Sequence, residues 1–252
     1  KHMKKVTMEL GGKSPNIVFS DAHIDNAVKG VISGIFAATG QTCIAGSRLL
    51  VQESIHDEFV EKLVALGATA KIGDPTSFET QVGPVTNIPQ YEKVLDYIEV
   101  AKAEGAEVAL GGGTPSGPEI GEGWFVEPTI FTGVKNDMRI AQEEVFGPVL
   151  SVIPFKDDEE AISIGNDVIY GLAAGIWTQN IGRAITMAGK LQAGTVWVNT
   201  YRAVSYLSPF GGYKKSGIGR ESGQEMIKEY LQHKSVWIET SNAEAPNPFV
   251  LR

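Results

Sequence analysis

Two apolar runs decide the fold: Pro15-Asn16-Ile17-Val18-Phe19 and Arg48-Leu49-Leu50-Val51-Gln52. Neither alternates. Ile17-Val18-Phe19 and Leu49-Leu50-Val51 are continuous apolar segments, as strands covered on both faces require. Between them Ile24, Ala27, Val28, Val31, Ile32, Ile35 and Phe36 recur at helical spacing. Asp21 and Asp25 offer capping side chains, and Gly40 is the expected stop. Strand, helix, strand in this order is a βαβ unit, and the sheet it starts is parallel.

The rest of the chain extends the pattern. Ser54 and Asp57 resemble a capping box ahead of a helix carrying Phe59, Val60, Leu63, Val64 and Leu66. Asn87 and Pro89 open a helix with Tyr91, Val94, Leu95, Ile98 and Ala101 on one face, stopped by Gly105. Further strands are expected at 108–110, 125–131, 149–155, 173–177 and 195–199, and further helices at 157–166 and 181–191. Residues 111–123, rich in Gly and Pro, read as a surface loop. The fold class expected is α/β in three layers, a mostly parallel sheet covered by helices on both faces. Residues 201–219 are irregular and glycine-rich. A helix at 221–232 and a last strand at 235–239 follow, the strand coming too late for the main sheet and suited to pairing with another chain. This divides the chain into a catalytic body, 1–219, and a C-terminal interlobe and oligomerisation segment, 220–252.

Composition excludes several classes. The chain has 252 residues with 22 Lys plus Arg against 30 Asp plus Glu, a net charge of −8. An acidic chain without a basic stripe is a poor nucleic-acid binder. No apolar run approaches the ~20 residues of a membrane helix. A single cysteine rules out an internal disulfide framework and suits a reducing, cytoplasmic compartment. The start, Lys1-His2-Met3-Lys4-Lys5, is no signal peptide and reads like the middle of a longer protein.

Four histidines, at 2, 23, 56 and 233, are too scattered for a zinc site, so no metal is expected. Gly111-Gly112-Gly113 runs into Thr114-Pro115 and not a helix, which removes the phosphate-binding geometry. Gly217-Ile218-Gly219-Arg220-Glu221-Ser222-Gly223 does not fit the dinucleotide fingerprint, and Lys214-Lys215-Ser216 lacks the glycine of a P-loop. Cys43 is different. It sits on the glycine-punctuated connection between the first helix and the second strand. Glu9 stands at the edge of the first strand, beside Gly11-Gly12. In a βαβ unit the two positions occupy neighbouring strand edges and can face one cleft, where a thiol and a carboxylate base permit covalent catalysis. Glu143-Glu144 precedes a later strand. Taken singly, each of these is more often an inert core thiol or a solvated charge.

Together the segments resemble the aldehyde dehydrogenase superfamily. Met8-Glu9-Leu10-Gly11-Gly12-Lys13-Ser14-Pro15 is similar to its glutamate signature, and Gly40-Gln41-Thr42-Cys43-Ile44-Ala45-Gly46-Ser47-Arg48 to its cysteine signature. Glu143-Glu144-Val145-Phe146-Gly147-Pro148-Val149 and Ser208-Pro209-Phe210-Gly211-Gly212-Tyr213-Lys214-Lys215-Ser216-Gly217 resemble two further blocks, in the same order. The resemblance implies NAD- or NADP-dependent oxidation of an aldehyde to a carboxylate, by a homo-oligomer. It implies Cys43 as nucleophile, Glu9 as base toward the hydrolytic water, and Glu221 on a proton path. Glu144, Phe146 and Leu10 are then the nicotinamide-side contacts, with Gln90 and Lys93 as further ribose contacts. Phe210 lines the aldehyde tunnel, with Thr42 and Ile44 flanking the nucleophile. Phosphorylating and CoA-acylating relatives usually lack the base at Glu9, so hydrolysis is favoured; a non-catalytic, oligomerising domain is the remaining alternative.

The family's cofactor lobe, which precedes the glutamate motif, has no counterpart here. The chain therefore reads as a catalytic half that binds NAD weakly and turns over little alone. Met226, Ile227, Tyr230, Leu231, Val236 and Trp237 are expected to lie exposed without that lobe. A pocket with Phe210, Phe36, Trp177 or Tyr206 suggests an apolar aldehyde. Arg202 is read as an interlobe or surface salt bridge, or as a partner for a substrate carboxylate, and argues against a cationic aldehyde such as betaine aldehyde.

Overall fold

The two apolar runs lie side by side in parallel, Pro15 against Arg48 and Val18 against Val51, at the centre of a seven-stranded sheet. The computed structural model describes residues 2–117, 120 and 123–250. In chain order the elements are β1 (Met8–Glu9), β2 (Pro15–Val18), α1 (Ile24–Phe36), β3 (Arg48–Gln52), α2 (His56–Gly67), α3 (Ile88–Ala103) and β4 (Glu107–Leu110). They continue with β5 (Thr129–Thr132), α4 (Arg139–Gln142), β6 (Val149–Phe155), α5 (Asp158–Asn166), β7 (Tyr170–Gly171) and β8 (Ala173–Trp177). Last come α6 (Ile181–Lys190), β9 (Thr195–Val198), β10 (Tyr213–Lys214) and β11 (Gly217–Ile218).

The large sheet runs β4-β5-β6-β3-β2-β8-β9, all parallel except β4. Side chains alternate between two cores, which is why the central strands are apolar throughout. Val18, Leu49, Val51, Leu150 and Val152 pack under α1 and α2; Ile17, Leu50, Ile153, Phe155 and Ile176 pack under α3, α5 and α6. Three layers result, as the sequence implies. Two small ribbons, β1 with β11 and β7 with β10, tie the start of the chain and the segment before β8 to residues 213–218.

Asn87, Asp157 and Asn180 cap α3, α5 and α6 by accepting from the backbone N–H three residues on, at 2.9–3.0 Å. Four expectations change. The capping box at Ser54 and Asp57 does not form: a 3₁₀ turn over Glu53–Ile55 leads straight into α2, whose cap makes no side-chain bond. Helix α1 ends at Phe36 and not at Gly40; Ala38 and Thr39 take left-handed φ of 52° and 56° in a 3₁₀ run that turns the chain toward Cys43. The strand at 125–131 begins only at Thr129, because its parallel partner β6 begins at Val149. The helix expected at 221–232 is reduced to a 3₁₀ run, Glu225–Tyr230, and residues 235–239 form no strand. An amphipathic helix needs a surface and a strand needs a partner, and this chain supplies neither there. Residues 118, 119, 121 and 122 of the expected surface loop, and 1, 251 and 252 of the two expected segments, lie outside the described residues.

Candidate active site

Cys43 is free and half-buried at the centre of a turn that Ala45 N–H closes on Thr42 C=O at 3.0 Å. Gln41 ties the turn's entrance down, donating to Pro84 C=O at 3.3 Å and accepting from Thr86 N–H at 2.9 Å. Gly46 N–H donates to Gly34 C=O in α1 at 3.1 Å.

The glutamate segment meets this turn at Gly12. A Cβ there would stand 2.3 Å from the Cys43 carbonyl oxygen, so only glycine permits the approach. The same residue's N–H donates to Glu144 Oε1 at 2.8 Å, and a Cβ on Gly11 would meet Glu144 Oε2 at 2.5 Å. Three separate stretches thus converge on one pair of glycines. Glu9 is held by antiparallel pairing of β1 with β11, opposite Gly217, and Leu10 N–H donates to Ser216 C=O at 3.0 Å. The block around Phe210 is therefore the support on which Glu9 rests.

Charge follows from this crowding. Burial raises the Glu9 pKa, the Glu221 carboxylate adds to it and Arg220 opposes it. Burial also raises the Cys43 thiol; the Ile44 backbone N–H pulls it down, and the Glu9 and Glu144 carboxylates push it further up. Full ionisation of thiol and base together is therefore disfavoured.

The other predicted residues divide into groups. Glu144 and Phe146 lie half-buried on one loop, Phe146 at φ 59°. Gln90 donates to the Val145 and Phe146 carbonyls at 2.8 and 2.9 Å and braces that loop from α3. Lys93 stands beside Tyr97, 5.8 Å from its ring centroid. Leu10 is exposed. Thr42 and Ile44 flank the thiol as expected, and Thr42 Oγ1 is buried without a partner. Phe210 and Glu221 exchange backbone hydrogen bonds of 2.7 Å and line an open cleft of roughly 880 Å³ with Trp197, Tyr206 and Pro209. Phe36 and Trp177 do not line it; both are core residues. Among the described residues Arg202 makes no salt bridge and does not line the cleft; its guanidinium donates to Ala37 C=O at 3.2 Å.

For the nicotinamide ribose, the donor set fits. Glu144 is oriented by Gly12, half-exposed, and keeps an oxygen free for a hydroxyl. Sequence reasoning missed Lys13, whose buried Nζ has no hydrogen-bond partner, and Tyr201. A lysine inside Gly-Gly-Lys-Ser-Pro carries no signal of burial, and a tyrosine after β9 carries none of its target. Among the described residues no group of His, Cys, Asp and Glu could hold a metal ion, and no helix is long and apolar enough to cross a membrane.

With fold and site in view, the comparisons are decisive for class. The family model for the aldehyde dehydrogenase family matches residues 1–236, and the chain belongs to that family. Betaine aldehyde dehydrogenase of Brucella anthropi is 49% identical over 245 residues, covering 97% of this chain and 50% of the relative. An aldehyde dehydrogenase of Aspergillus niger is 51% identical over 238 residues, covering 93% and 46%. A crystal structure of Staphylococcus aureus betaine aldehyde dehydrogenase in complex with NAD+ superposes with a TM-score of 0.93 at 45% identity, covering 97% of this chain and 48% of that one. The chain spans about half the length of the curated relatives it matches.

Proposed function

We propose that this chain is the catalytic half of an NAD-dependent aldehyde dehydrogenase that works by covalent catalysis. The observation that carries it is the double contact of Gly12, against the Cys43 carbonyl on one side and the Glu144 carboxylate on the other. Cys43 Sγ, losing its proton toward Glu9, adds to the aldehyde carbon. The Cys43 backbone N–H faces the oxyanion that forms. NAD+ supplies the hydride acceptor when bound, and loss of the aldehyde hydrogen with its electron pair leaves a thioester on Cys43. Glu9 Oε2 is buried without a protein partner and accepts a proton from water; the hydroxide attacks the thioester and the carboxylate leaves, returning the thiol. Glu144 holds the nicotinamide ribose, with Phe146 and Leu10 at the nicotinamide end and Lys93 toward the second ribose contact. Glu221, coupled to Glu9 by charge, passes the proton outward.

The cleft offers Trp197, Tyr206 and Phe210 faces and one carboxylate, Glu221, and no cation lines it among the described residues. Such a lining attracts a quaternary ammonium group, so a trimethylammonium aldehyde, the substrate class for which the Brucella relative is named, is the favoured substrate. The protein works in the cytoplasm, where its thiol stays reduced, and associates with a second copy through 225–250.

The test is an aldehyde panel, betaine aldehyde against an uncharged aldehyde of equal length, on a protein extended to the relatives' length. Cys43→Ala is expected to abolish NADH formation. Glu9→Gln is expected to keep one stoichiometric burst of NADH and lose about 10²–10⁴-fold in turnover. Steady turnover in Cys43→Ala, or no burst in Glu9→Gln, defeats the covalent mechanism.

A further inference from the structure

Ile44 is held from both ends. Its backbone N–H follows the Cys43 thiol directly and acts to lower the thiol pKa. Its carbonyl accepts from the Tyr201 hydroxyl at 2.9 Å. The residue next to the thiol is thus held by a phenol 157 positions away in the chain.

Tyr201 cannot easily sit anywhere else. Its ring lies in a slot made by three glycines from three elements. Added Cβ atoms would stand 3.1 Å from the ring at Gly34 in α1, 3.0 Å at Gly46 in the cysteine loop and 2.7 Å at Gly175 in β8. Trp197 closes the slot, with ring centroids 4.7 Å apart. The backbone on either side is bent to fit: Asn199 and Arg202 have φ of 53° and 64°. Arg202 then donates to Ala37 C=O, gripping the start of the 3₁₀ run that leads into the same turn. Burial drives the phenol pKa up, so the hydroxyl remains a donor across the working pH range. The Ser14 hydroxyl lies beside it and has no other partner. Nothing in the slot needs a hydroxyl for packing; a phenylalanine would fill it. What the hydroxyl adds is a fixed plane for the Ile44–Ala45 peptide, whose Ala45 N–H closes the turn around Cys43 on Thr42 C=O at 3.0 Å.

We propose that Tyr201 is a positioning residue for Cys43, acting through the Ile44–Ala45 peptide to hold the turn that carries the thiol. Its kinetic consequence rests on Cys43 being the nucleophile; its geometric content does not.

The experiment uses the native 252-residue chain and Tyr201→Phe, each alkylated with iodoacetamide across pH 6–10 and scored by mass. Cys43 is the sole cysteine, so the signal has one origin. The expected result is an alkylation profile displaced upward by about half a pH unit, hence a roughly threefold slower rate near pH 8. The thermal midpoint should stay close to native, and amide exchange should accelerate at Ile44 and Ala45 alone. The exchange readout stands even if the variant is less stable, since a merely structural role loosens the whole sheet and not one turn. Superimposable alkylation profiles, or exchange raised everywhere equally, overturn the proposal. The two proposals fail separately. Steady turnover in Cys43→Ala defeats the mechanism while a displaced Tyr201→Phe profile sustains the positioning role. An essential Cys43 with unchanged Tyr201→Phe profiles does the reverse.

Discussion

The sheet body and the C-terminal segment are built from similar residues and behave oppositely. In the body, Ile17, Leu49, Leu50 and Phe155 are completely buried; beyond residue 224, Ile227, Tyr230, Leu231, Val236, Trp237 and Ile238 are all exposed, Trp237 at 95%. Apolar composition is therefore not what orders a segment. The body strands come with neighbours on both edges and helices on both faces. The C-terminal segment is tied to the body chiefly by the Lys5 ammonium, which donates to the Lys228 and Leu231 carbonyls. Order follows from having a surface to bury against, which is worth ~25 cal/mol per Å² only where that surface exists.

The sharpest way to break the body's side of this contrast is at Arg48, the largest fully buried side chain. Its guanidinium donates to the carbonyls of Lys13, Ile164 and Gly165 and to Asn136 Oδ1, at 2.8–3.0 Å. Burial lowers its pKa to about 10, which leaves it charged at neutral pH. It nails the start of β3 to the glutamate segment and to the end of α5. Arg48→Met leaves three acceptors without donors, the Ile164 carbonyl keeping the Asp167 N–H at 3.3 Å, and a loss of about 3–5 kcal/mol is expected in urea unfolding. A loss below ~1 kcal/mol would mean that the sheet alone defines the site.

Lys13, whose carbonyl Arg48 holds, is the counter-example inside the body: a fully buried cation whose Nζ has no partner. Burial, with Arg48 nearby, pushes its pKa down to about 7, while the Glu144 carboxylate works against that shift. The unfolded chain keeps this proton up to about pH 10.4. Between the two values the unfolded state binds more protons, so stability should rise with pH from about 7 to about 10 and show no Lys13 contribution to the slope below 7. Lys13→Met removes this dependence. It should stabilise the chain at pH 7 by about 2 kcal/mol, less than the shift alone implies because Glu144 loses a neighbouring cation. Parallel stability–pH curves for the two proteins across pH 7–10 would show that Lys13 finds a partner in solution.

The parts legible in the sequence are those whose cause is local or repeated. Ile17-Val18-Phe19 and Leu49-Leu50-Val51 announce a doubly covered sheet because both faces must be apolar, and α3 announces its start because Asn87 and Pro89 act within one turn. Glu9, Cys43 and Glu144 are legible through motifs whose glycines are needed for close approach, and Gly12 shows what that need is. Ser54 misleads because a capping box is a side-chain geometry and the chain uses a 3₁₀ turn instead. Tyr201 is illegible because its meaning depends on Gly34, Gly46 and Gly175 meeting around one ring, a coincidence of three elements that no local pattern encodes. Residues 221–239 have helical and strand periodicity yet form neither. Periodicity reports which face would be buried, not whether anything is there to bury it.

That last point makes the smallest expected effect the most informative about the contrast. The hydrogen bonds of 232–250, among the described residues, are local ones such as Ser241 N–H to Glu239 Oε1 and Phe249 N–H to Asn247 Oδ1. A chain ending at residue 231 keeps both Lys5 contacts and the whole sheet. Its unfolding free energy at micromolar concentration should therefore match that of the full chain within ~0.5 kcal/mol. Its association should not match. Exposed Val236, Trp237 and Ile238 are the residues a second copy would cover, so sedimentation of the full chain should shift with concentration while the shortened chain stays put. If the shortened chain is instead destabilised by more than ~1 kcal/mol, the segment packs on its own body in solution, and the difference between the two regions is one of degree. If both chains sediment alike at every concentration, the exposed face is covered by something other than a second copy.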